Sequence, residues 1–299
     1  MTETAWIIWG AGFLLLCILA PFVSRAVCRA FELVKPNFAG ATIPAATGLT
    51  FLLVGAITYG AVAATGATLG MVYAPAFLLV CAGFGILGLL DDKFGSREVG
   101  GFRGHIGALL RGKPTTGSLK LIGGGLLALC AAFLVHRTDW LSVVLTASLI
   151  ALGANTLNLF DTRPGRAQFG FFVLFALPVM VSALLALYAL RYNTHGFLPD
   201  DVRYWTPPGV LLAPLVFAVI AEWWSDATGK TMMGDTGSNL LGATGALAAA
   251  VTLPLWGNLV LLAVLLAVNV AAERVSLNAA IERNRFLRAF DRALGKRAK

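Results

Sequence analysis

Several of the few acidic residues in this sequence stand at the ends of long apolar runs. Asp91 and Asp92 close one run, Asn158 and Asp161 follow another, and Asp235 comes just before a third. A carboxylate at a membrane boundary costs free energy unless it faces a cavity, a partner or a cation. We therefore expect these side chains to share one polar cavity at one end of a helical bundle.

The types of these residues indicate a divalent cation and a phosphorylated ligand. Adjacent carboxylates such as Asp91 and Asp92 cannot both be buried and ionised without a counter-charge. Mg²⁺ supplies such a charge and binds one or two carboxylates together with substrate phosphates. The turn at residues 234–238 leads into an apolar helix, whose free N–H groups attract an anion. Basic residues that could complete a pyrophosphate site are Arg97, Arg103, Arg111, Lys113, Lys120, Arg163 and Arg166.

Each motif taken alone also has a simpler interpretation. Asp91 and Asp92 could form solvated ion pairs with neighbouring basic residues. Asn158 and Asp161 could cap the end of a helix, and residues 234–238 could be an ordinary glycine-containing turn. The joint placement of these motifs on one side of a bundle is what favours a shared site.

The elements that must position these residues are apolar helices. Hydrophobic residues make up 58% of the 299 residues and charged residues 13%, whereas soluble domains carry about 25% charged residues. This composition excludes a disordered chain, a small disulfide-bonded domain and an ordinary soluble enzyme. A membrane span needs about 20 mostly apolar residues. Nine such segments stand out, at residues 5–28, 45–65, 71–90, 118–136, 140–158, 168–190, 208–224, 237–255 and 257–273.

The distribution of basic residues predicts the orientation of the nine spans. Of the 23 Lys and Arg residues, 20 fall on one side and only Arg137, Arg191 and Arg203 on the other. Basic loops stay in the cytoplasm, so we expect the N-terminus outside and the C-terminus and acidic motifs at the cytoplasmic face of the plasma membrane. The net charge of +8 then needs no nucleic-acid partner.

The predicted fold class is an all-α polytopic membrane protein. Residues 1–299 form a single domain with about nine transmembrane helices. At residues 274–299, apolar positions at helical spacing alternate with basic ones. This pattern predicts an amphipathic helix along the cytoplasmic interface of the bilayer. Its basic residues either attract anionic lipid or help to bind a phosphorylated substrate.

The order of these motifs resembles the polyprenyl-phosphate N-acetylhexosamine-1-phosphate transferase family. The resemblance extends from about residue 36 to residue 245, in the family's order and on its side of the membrane. The matching stretches are Pro36-Asn37 with Ile43-Pro44, Gly88 to Asp92, Lys120, Asn155 and Asn158 with Asp161, and Gly234-Asp235 with Gly237-Ser238.

The resemblance implies a reaction that depends on Mg²⁺, with Mn²⁺ as an alternative metal. A sugar-1-phosphate moves from a UDP-sugar to a polyprenyl phosphate, UMP is released, and a lipid-linked cell-envelope glycan is begun. The resemblance implies that Asp235 binds the metal, with Asn158 and Asp161 close by.

The resemblance also assigns roles to the other polar residues of the motifs. Asp91 or Asp92 deprotonates or positions the lipid phosphate, and Lys120 helps to hold a phosphate. We expect the remaining substrate contacts from four residues, which are Asn155, Arg163, Arg166 and Arg97.

The sequence departs from the family pattern at three places. Pro164 stands where the family often has a second acid, Gly95 stands where many members have a third, and no His follows His195. Arg163 and Arg166 could replace the missing histidine contacts, because guanidinium groups match phosphate oxygens. The alternative is an altered member that binds polyprenyl phosphate as a scaffold or transporter without turnover. A homodimer is compatible with either function.

Overall fold

A computed structural model describes residues 3–64, 72–95, 107, 111, 116–191 and 209–295, and most of these residues are helical. Two short strands, β1 (Val34–Pro36) and β2 (Thr42–Pro44), form an antiparallel hairpin. The helices, in chain order, are α1 (Glu3–Ala30), α2 (Leu49–Ala64), α3 (Ala74–Phe94), α4 (Thr116–His136), α5 (Trp140–Phe160), α6 (Arg166–Phe171), α7 (Leu177–Arg191), α8 (Ala213–Ala227), α9 (Gly234–Thr252), α10 (Leu255–Ala272), α11 (Leu277–Arg283) and α12 (Arg285–Leu294). A π-helical turn at Phe172–Ala176 joins α6 to α7.

The predicted all-α membrane fold is confirmed at the level of its helices. Six stretches of the described chain are long and apolar enough to cross a membrane, namely Trp9–Ala30, Ala74–Phe94, Thr116–His136, Trp140–Phe160, Arg166–Leu185 and Leu255–Ala272. The other three predicted segments lie on α2, α8 and α9, which are shorter or less apolar. Nine crossings therefore stay a prediction.

Helix α9 is the centre of the bundle. Nearly every residue from Thr236 to Thr252 is buried, and the helix packs against α2, α3 and α5. A helix surrounded by protein does not need the apolarity of a lipid-facing span, which explains its many Gly and Ala residues. Gly242 meets Gly153 of α5 so closely that a Cβ on Gly242 would lie 2.2 Å from the Gly153 carbonyl oxygen. Small residues at this contact let the two backbones approach.

The hairpin is a feature that the sequence analysis did not predict. Its turn is held by the Asn37 carboxamide oxygen, which accepts from the backbone N–H groups of Ala39 and Ala41 at 2.8 and 3.0 Å. The chain after the hairpin pairs with the segment before α9, where the Met232 N–H donates to the Pro44 carbonyl at 2.9 Å. The hairpin thereby fixes the entry into the central helix.

The predicted C-terminal amphipathic helix consists of two short helices. Asn284 separates α11 from α12 in an extended conformation (φ −100°, ψ 119°). Its side chain caps α12 by accepting from the N–H groups of Phe286 and Leu287 at 2.9 and 3.2 Å. An Asn cap of this kind satisfies donors at the start of a helix, so the break is encoded locally.

Candidate functional site

The end of the bundle that carries the predicted motifs will be called the site end. It is formed by the last turns of α3 and α5 and by the first turns of α4 and α9, and these four helices pack in adjacent pairs. Asp91 and Asp92 end α3, Lys120 lies in the first turns of α4, Asn158 is in the last turn of α5, and Asp235 begins α9. Side chains far apart in the chain therefore meet at one point.

Lys120 links two of the predicted carboxylates. Its ammonium group donates to Asp235 Oδ2 and lies 3.7 Å from Asp91 Oδ2. All three side chains keep partial exposure, at 19% for Lys120, 22% for Asp91 and 29% for Asp235. A positive charge thus stands between two carboxylates that an incoming ligand can reach.

Asn158 completes this group from α5. With its amide nitrogen turned toward the start of α9, it donates to Asp235 Oδ1 and to Ser238 Oγ, each at 3.1 Å. In the same orientation its oxygen accepts from Lys120 Nζ at 3.1 Å. The structure therefore brings Asn158, Lys120 and Asp235 together, as the sequence predicted.

Asp92 faces a different partner from its neighbour Asp91. Its carboxylate accepts from the backbone N–H of Asp235 at 3.1 Å, and from the N–H and hydroxyl of Thr236 at 2.9 and 2.7 Å. Lys35 of β1 lies 3.6 Å from the same carboxylate, whose side chain is only 4% exposed. Asp92 therefore caps α9 and orients Asp235.

Gly234 makes this cap possible. Its φ of +68° is a left-handed conformation, and a Cβ at this position would lie 2.5 Å from Asp92 Oδ2. Glycine adopts such a conformation without steric cost and leaves room for the carboxylate.

Asp161 lies directly after α5, in the turn that leads to α6. No side chain in the described part of the chain donates a hydrogen bond to its carboxylate. Burial, together with the nearby charges of Asp226, Asp235 and Asp92, raises the pKa of Asp161 well above its usual range. A cation placed near Asp161 would relieve this repulsion.

Charge at the site end is not balanced by the lysines that contact it. The four aspartates at positions 91, 92, 161 and 235 face two lysines at positions 35 and 120. Among the residues that the structure describes, this leaves a surplus of two negative charges when all four carboxylates are ionised. A divalent cation would neutralise that surplus.

Of the predicted substrate-binding residues, Asn155 and Arg166 are already engaged with other side chains, and Arg163 stays partly exposed beside the site end. The Asn155 amide donates to Asn269 Oδ1 of α10. Arg163 is partly exposed in the turn after Asp161. Arg166 is buried, and its guanidinium donates to Asp291 Oδ1 at 2.8 Å. The fourth residue, Arg97, lies outside the described residues.

Lys35 was not predicted to take part in this region, whereas Glu222 and Asp226 were expected either to share its cavity or to be simple interface acids. Lys35 follows no acidic motif, and only its place beside Pro36-Asn37 could have suggested a role. A second buried group lies at the end of α8, where Glu222 pairs with Arg25 at 3.2 Å and accepts from Thr50 Oγ1 at 2.9 Å. Asp226, one turn later, accepts from the Gly165 N–H at 2.8 Å. The Asp226–Gly165 bond helps to position the turn that carries Asp161.

The site end offers oxygen donors of the type that Mg²⁺ binds. Within the described ranges there is no group of three or more His, Cys, Asp or Glu side chains that could hold a metal ion. Mg²⁺ requires only one or two carboxylates when phosphate oxygens and water complete its coordination. Asp161, Asp235 and the Asn158 carboxamide are oxygen donors of that type.

No family model matches the sequence, and a search of curated proteins finds no match. Function must therefore be argued from the residues and their geometry.

Proposed function

We propose that this protein is a Mg²⁺-dependent phosphoglycosyltransferase of the plasma membrane. It transfers a sugar-1-phosphate from a UDP-sugar to a polyprenyl phosphate at the cytoplasmic face, releases UMP and begins a lipid-linked envelope glycan. One observation carries this proposal above the others. Lys120 bridges Asp91 and Asp235 at the point where four helices converge, which is the arrangement expected for residues that act on phosphates.

Asp235 and Asp161, with Asn158, are the residues that would hold Mg²⁺. When bound, the metal supplies positive charge to the diphosphate, which lowers the repulsion between two anionic substrates. The surplus of two negative charges at the site end supports a divalent ion. Asp92 holds the start of α9 and so keeps Asp235 in place.

Asp91 is the better candidate of the adjacent pair for contact with the lipid phosphate. It is 22% exposed, whereas Asp92 is 4% exposed and its oxygens already accept three hydrogen bonds. Asp91 would take a proton from the lipid phosphate or orient it. A phosphate oxygen then forms a bond to the β-phosphorus, and the bond between that phosphorus and the bridging oxygen breaks as UMP leaves.

Lys120 would stabilise charge that develops on phosphate oxygens during this transfer. Phosphoryl transfer depends mainly on positioning and on electrostatic stabilisation. An ammonium that is held by two carboxylates and an amide is already oriented before substrate arrives, so little reorganisation is needed.

The proposed topology has nine crossings, with the site end and the C-terminus in the cytoplasm. Each of the nine predicted segments lies on a helix of the described chain. The 20 to three distribution of Lys and Arg supports this orientation. Cysteine accessibility on the two sides of sealed vesicles tests it.

A metal-dependent assay tests the activity itself. Purified protein is mixed with polyprenyl phosphate, Mg²⁺ and each member of a panel of UDP-sugars, and release of UMP is measured. Turnover of at least one sugar nucleotide that is lost with chelator is the expected result. Binding of polyprenyl phosphate without any UMP release, while a known transferase is active under the same conditions, would instead indicate a scaffold or transporter.

A further inference from the structure

Helix α12 presents an apolar face that the rest of the described chain covers only in part. Phe286 is 85% exposed, and Leu287 and Phe290 are 48% and 49% exposed. On a helical wheel these residues share one side with Ala289 and Ala293, while Arg285, Arg288 and Arg292 occupy the other. An exposed apolar face bordered by arginines is the pattern of a helix that lies in a membrane interface.

The docking of α12 places it at the level where a membrane span begins. The Phe290 ring packs edge-on against Phe169, with centroids 5.0 Å apart. Phe169 lies in the first turns of the apolar stretch Arg166–Leu185. The buried Arg166–Asp291 pair, at 2.8 Å, fixes the same end of the span to the middle of α12. Helix α12 is thus held beside the boundary of the bilayer.

Other exposed aromatic side chains mark this boundary around the site end. Phe31, Phe94 and Trp224 are 60%, 63% and 72% exposed and lie at or just after the ends of α1, α3 and α8. Aromatic side chains at such positions are typical of the membrane–water interface. Phe286 continues this series on the C-terminal side.

The charge of the segment selects among the surfaces that could cover it. Residues 277–299 contain seven basic and two acidic residues, and one of the acidic ones, Asp291, is paired with Arg166. A neutral apolar protein surface would account only for the apolar face. An acidic protein surface would account only for the basic face. An anionic lipid surface accounts for both, because acyl chains take up the aromatic side chains and headgroup phosphates meet the arginines.

We propose that α12 is an interfacial helix that binds anionic phospholipid headgroups at the bilayer surface beside the site end. Its apolar face inserts Phe286 and Leu287 among the acyl chains, and Arg285 and Arg292 meet the phosphates. Through the Arg166–Asp291 pair the same helix holds the turn that carries Asp161. Lipid contact and the geometry of the acidic cluster are therefore mechanically linked.

Lipid quenching of a probe on full-length protein tests this docking. Cys130 is the one exposed cysteine among the four. Replacing it by Cys130→Ser and adding Phe286→Cys therefore directs an environment-sensitive fluorophore to position 286. The protein is placed in nanodiscs of phosphatidylcholine alone or with phosphatidylglycerol, with or without nitroxide-labelled lipid. We expect blue-shifted emission and nitroxide quenching that are strongest with phosphatidylglycerol and weaken with salt.

Charge variants separate headgroup binding from simple apolar insertion. Each basic residue near an anionic surface contributes about 1 kcal/mol, so Arg285→Gln and Arg292→Gln should each lower the docked-to-undocked ratio about fivefold. A probe at Lys230→Cys, an exposed position at the site end, is the control and should not respond to these variants.

Two results would overturn the proposal. Water-like emission without quenching in every lipid would mean that α12 faces solvent or protein. Equal quenching in neutral and anionic nanodiscs, insensitive to salt and to both variants, would mean that the helix does not recognise anionic headgroups. Neither result would bear on the proposed transferase activity, because the measurement involves no turnover.

Discussion

Replacing Lys120 with methionine is the most informative test of the site end. The substitution Lys120→Met keeps most of the side-chain volume but removes the charge that faces Asp91 and Asp235. At the 3.7 Å that separates Lys120 Nζ from Asp91 Oδ2, an ion pair is worth about 4 kcal/mol at an effective dielectric constant of about 20. Partial exposure of both groups lowers this figure.

The expected loss of turnover follows from that interaction. If Lys120 stabilises charge on a transferring phosphate, losing one such preorganised group lowers kcat by roughly 100- to 1,000-fold. Removing the ammonium also takes away the positive charge that contacts Asp91 and Asp235. The acidic cluster should then bind divalent cations more tightly, by at least about fivefold for an added interaction of about 1 kcal/mol.

Two assays measure these opposite effects. Release of UMP gives kcat, and a Mn²⁺ titration followed by electron paramagnetic resonance gives metal affinity without turnover. Lys230→Met, at an exposed position of the site end, is the matched control and should change neither quantity. Near-normal kcat in Lys120→Met would refute the role in phosphate transfer, and unchanged or weaker Mn²⁺ binding would refute the charge balance of the cluster.

Three further predictions concern other residues of the site end. Asp235→Asn should abolish Mg²⁺-dependent UMP release and leave the thermal unfolding midpoint nearly unchanged. Asp91→Asn should lower kcat without loss of stability. Asp92→Asn should lower kcat and also lower the free energy of unfolding by about 1–3 kcal/mol, because an amide group cannot accept from all the donors at the start of α9. Arg163→Ala should raise KM for the UDP-sugar without changing the unfolding midpoint. Arg166→Ala should lower the free energy of unfolding by about 2 kcal/mol, since it leaves the buried Asp291 carboxylate without its guanidinium partner.

One control variant serves all three predictions, and a different result would contradict each of them. Asp139→Asn changes an acid at the other end of α5, where the residue caps the helix by accepting from the Ser142 N–H. Asn is an equally good cap, so this variant should behave like the wild type. Normal UMP release in the position-235 variant would remove the metal assignment. Equal stability of the variants at positions 91 and 92 would show that the hydrogen bonds of Asp92 to α9 do not stabilise the fold. Equal stability of the variants at positions 163 and 166 would show the same for the Arg166–Asp291 pair.

Much of the fold follows from local composition. Each apolar segment of about 20 residues predicts a helix, because every backbone polar group must be satisfied within the segment in lipid. All nine predicted segments lie on helices in the described chain. The convergence of Asp91, Lys120, Asn158 and Asp235 was also predictable, since each stands at the same end of its segment.

The hairpin and the break in the C-terminal helix were not predicted. The hairpin is three residues per strand, too short for a hydrophobic period to be recognised. It is held by Met232, far along the chain, whose N–H donates to the Pro44 carbonyl. The cap at Asn284 was readable in principle, but the regular spacing of apolar and basic residues across it favoured a single helix.

The sequence by itself determined which residue types reach the site end, and tertiary packing decided what each one contacts. Neighbours on a helix point about 100° apart, so Asp91 and Asp92 make different contacts. Gly88 determines which of the two aspartates contacts α9. It has no Cβ, so the Asp235 backbone can approach α3. A Cβ on Gly88 would lie 2.2 Å from the Asp235 carbonyl oxygen. That approach turns Asp92 to the start of α9 and leaves Asp91 to Lys120. The same reason applies to Arg166, whose position in the sequence suggests a phosphate ligand but whose guanidinium is turned by packing toward Asp291.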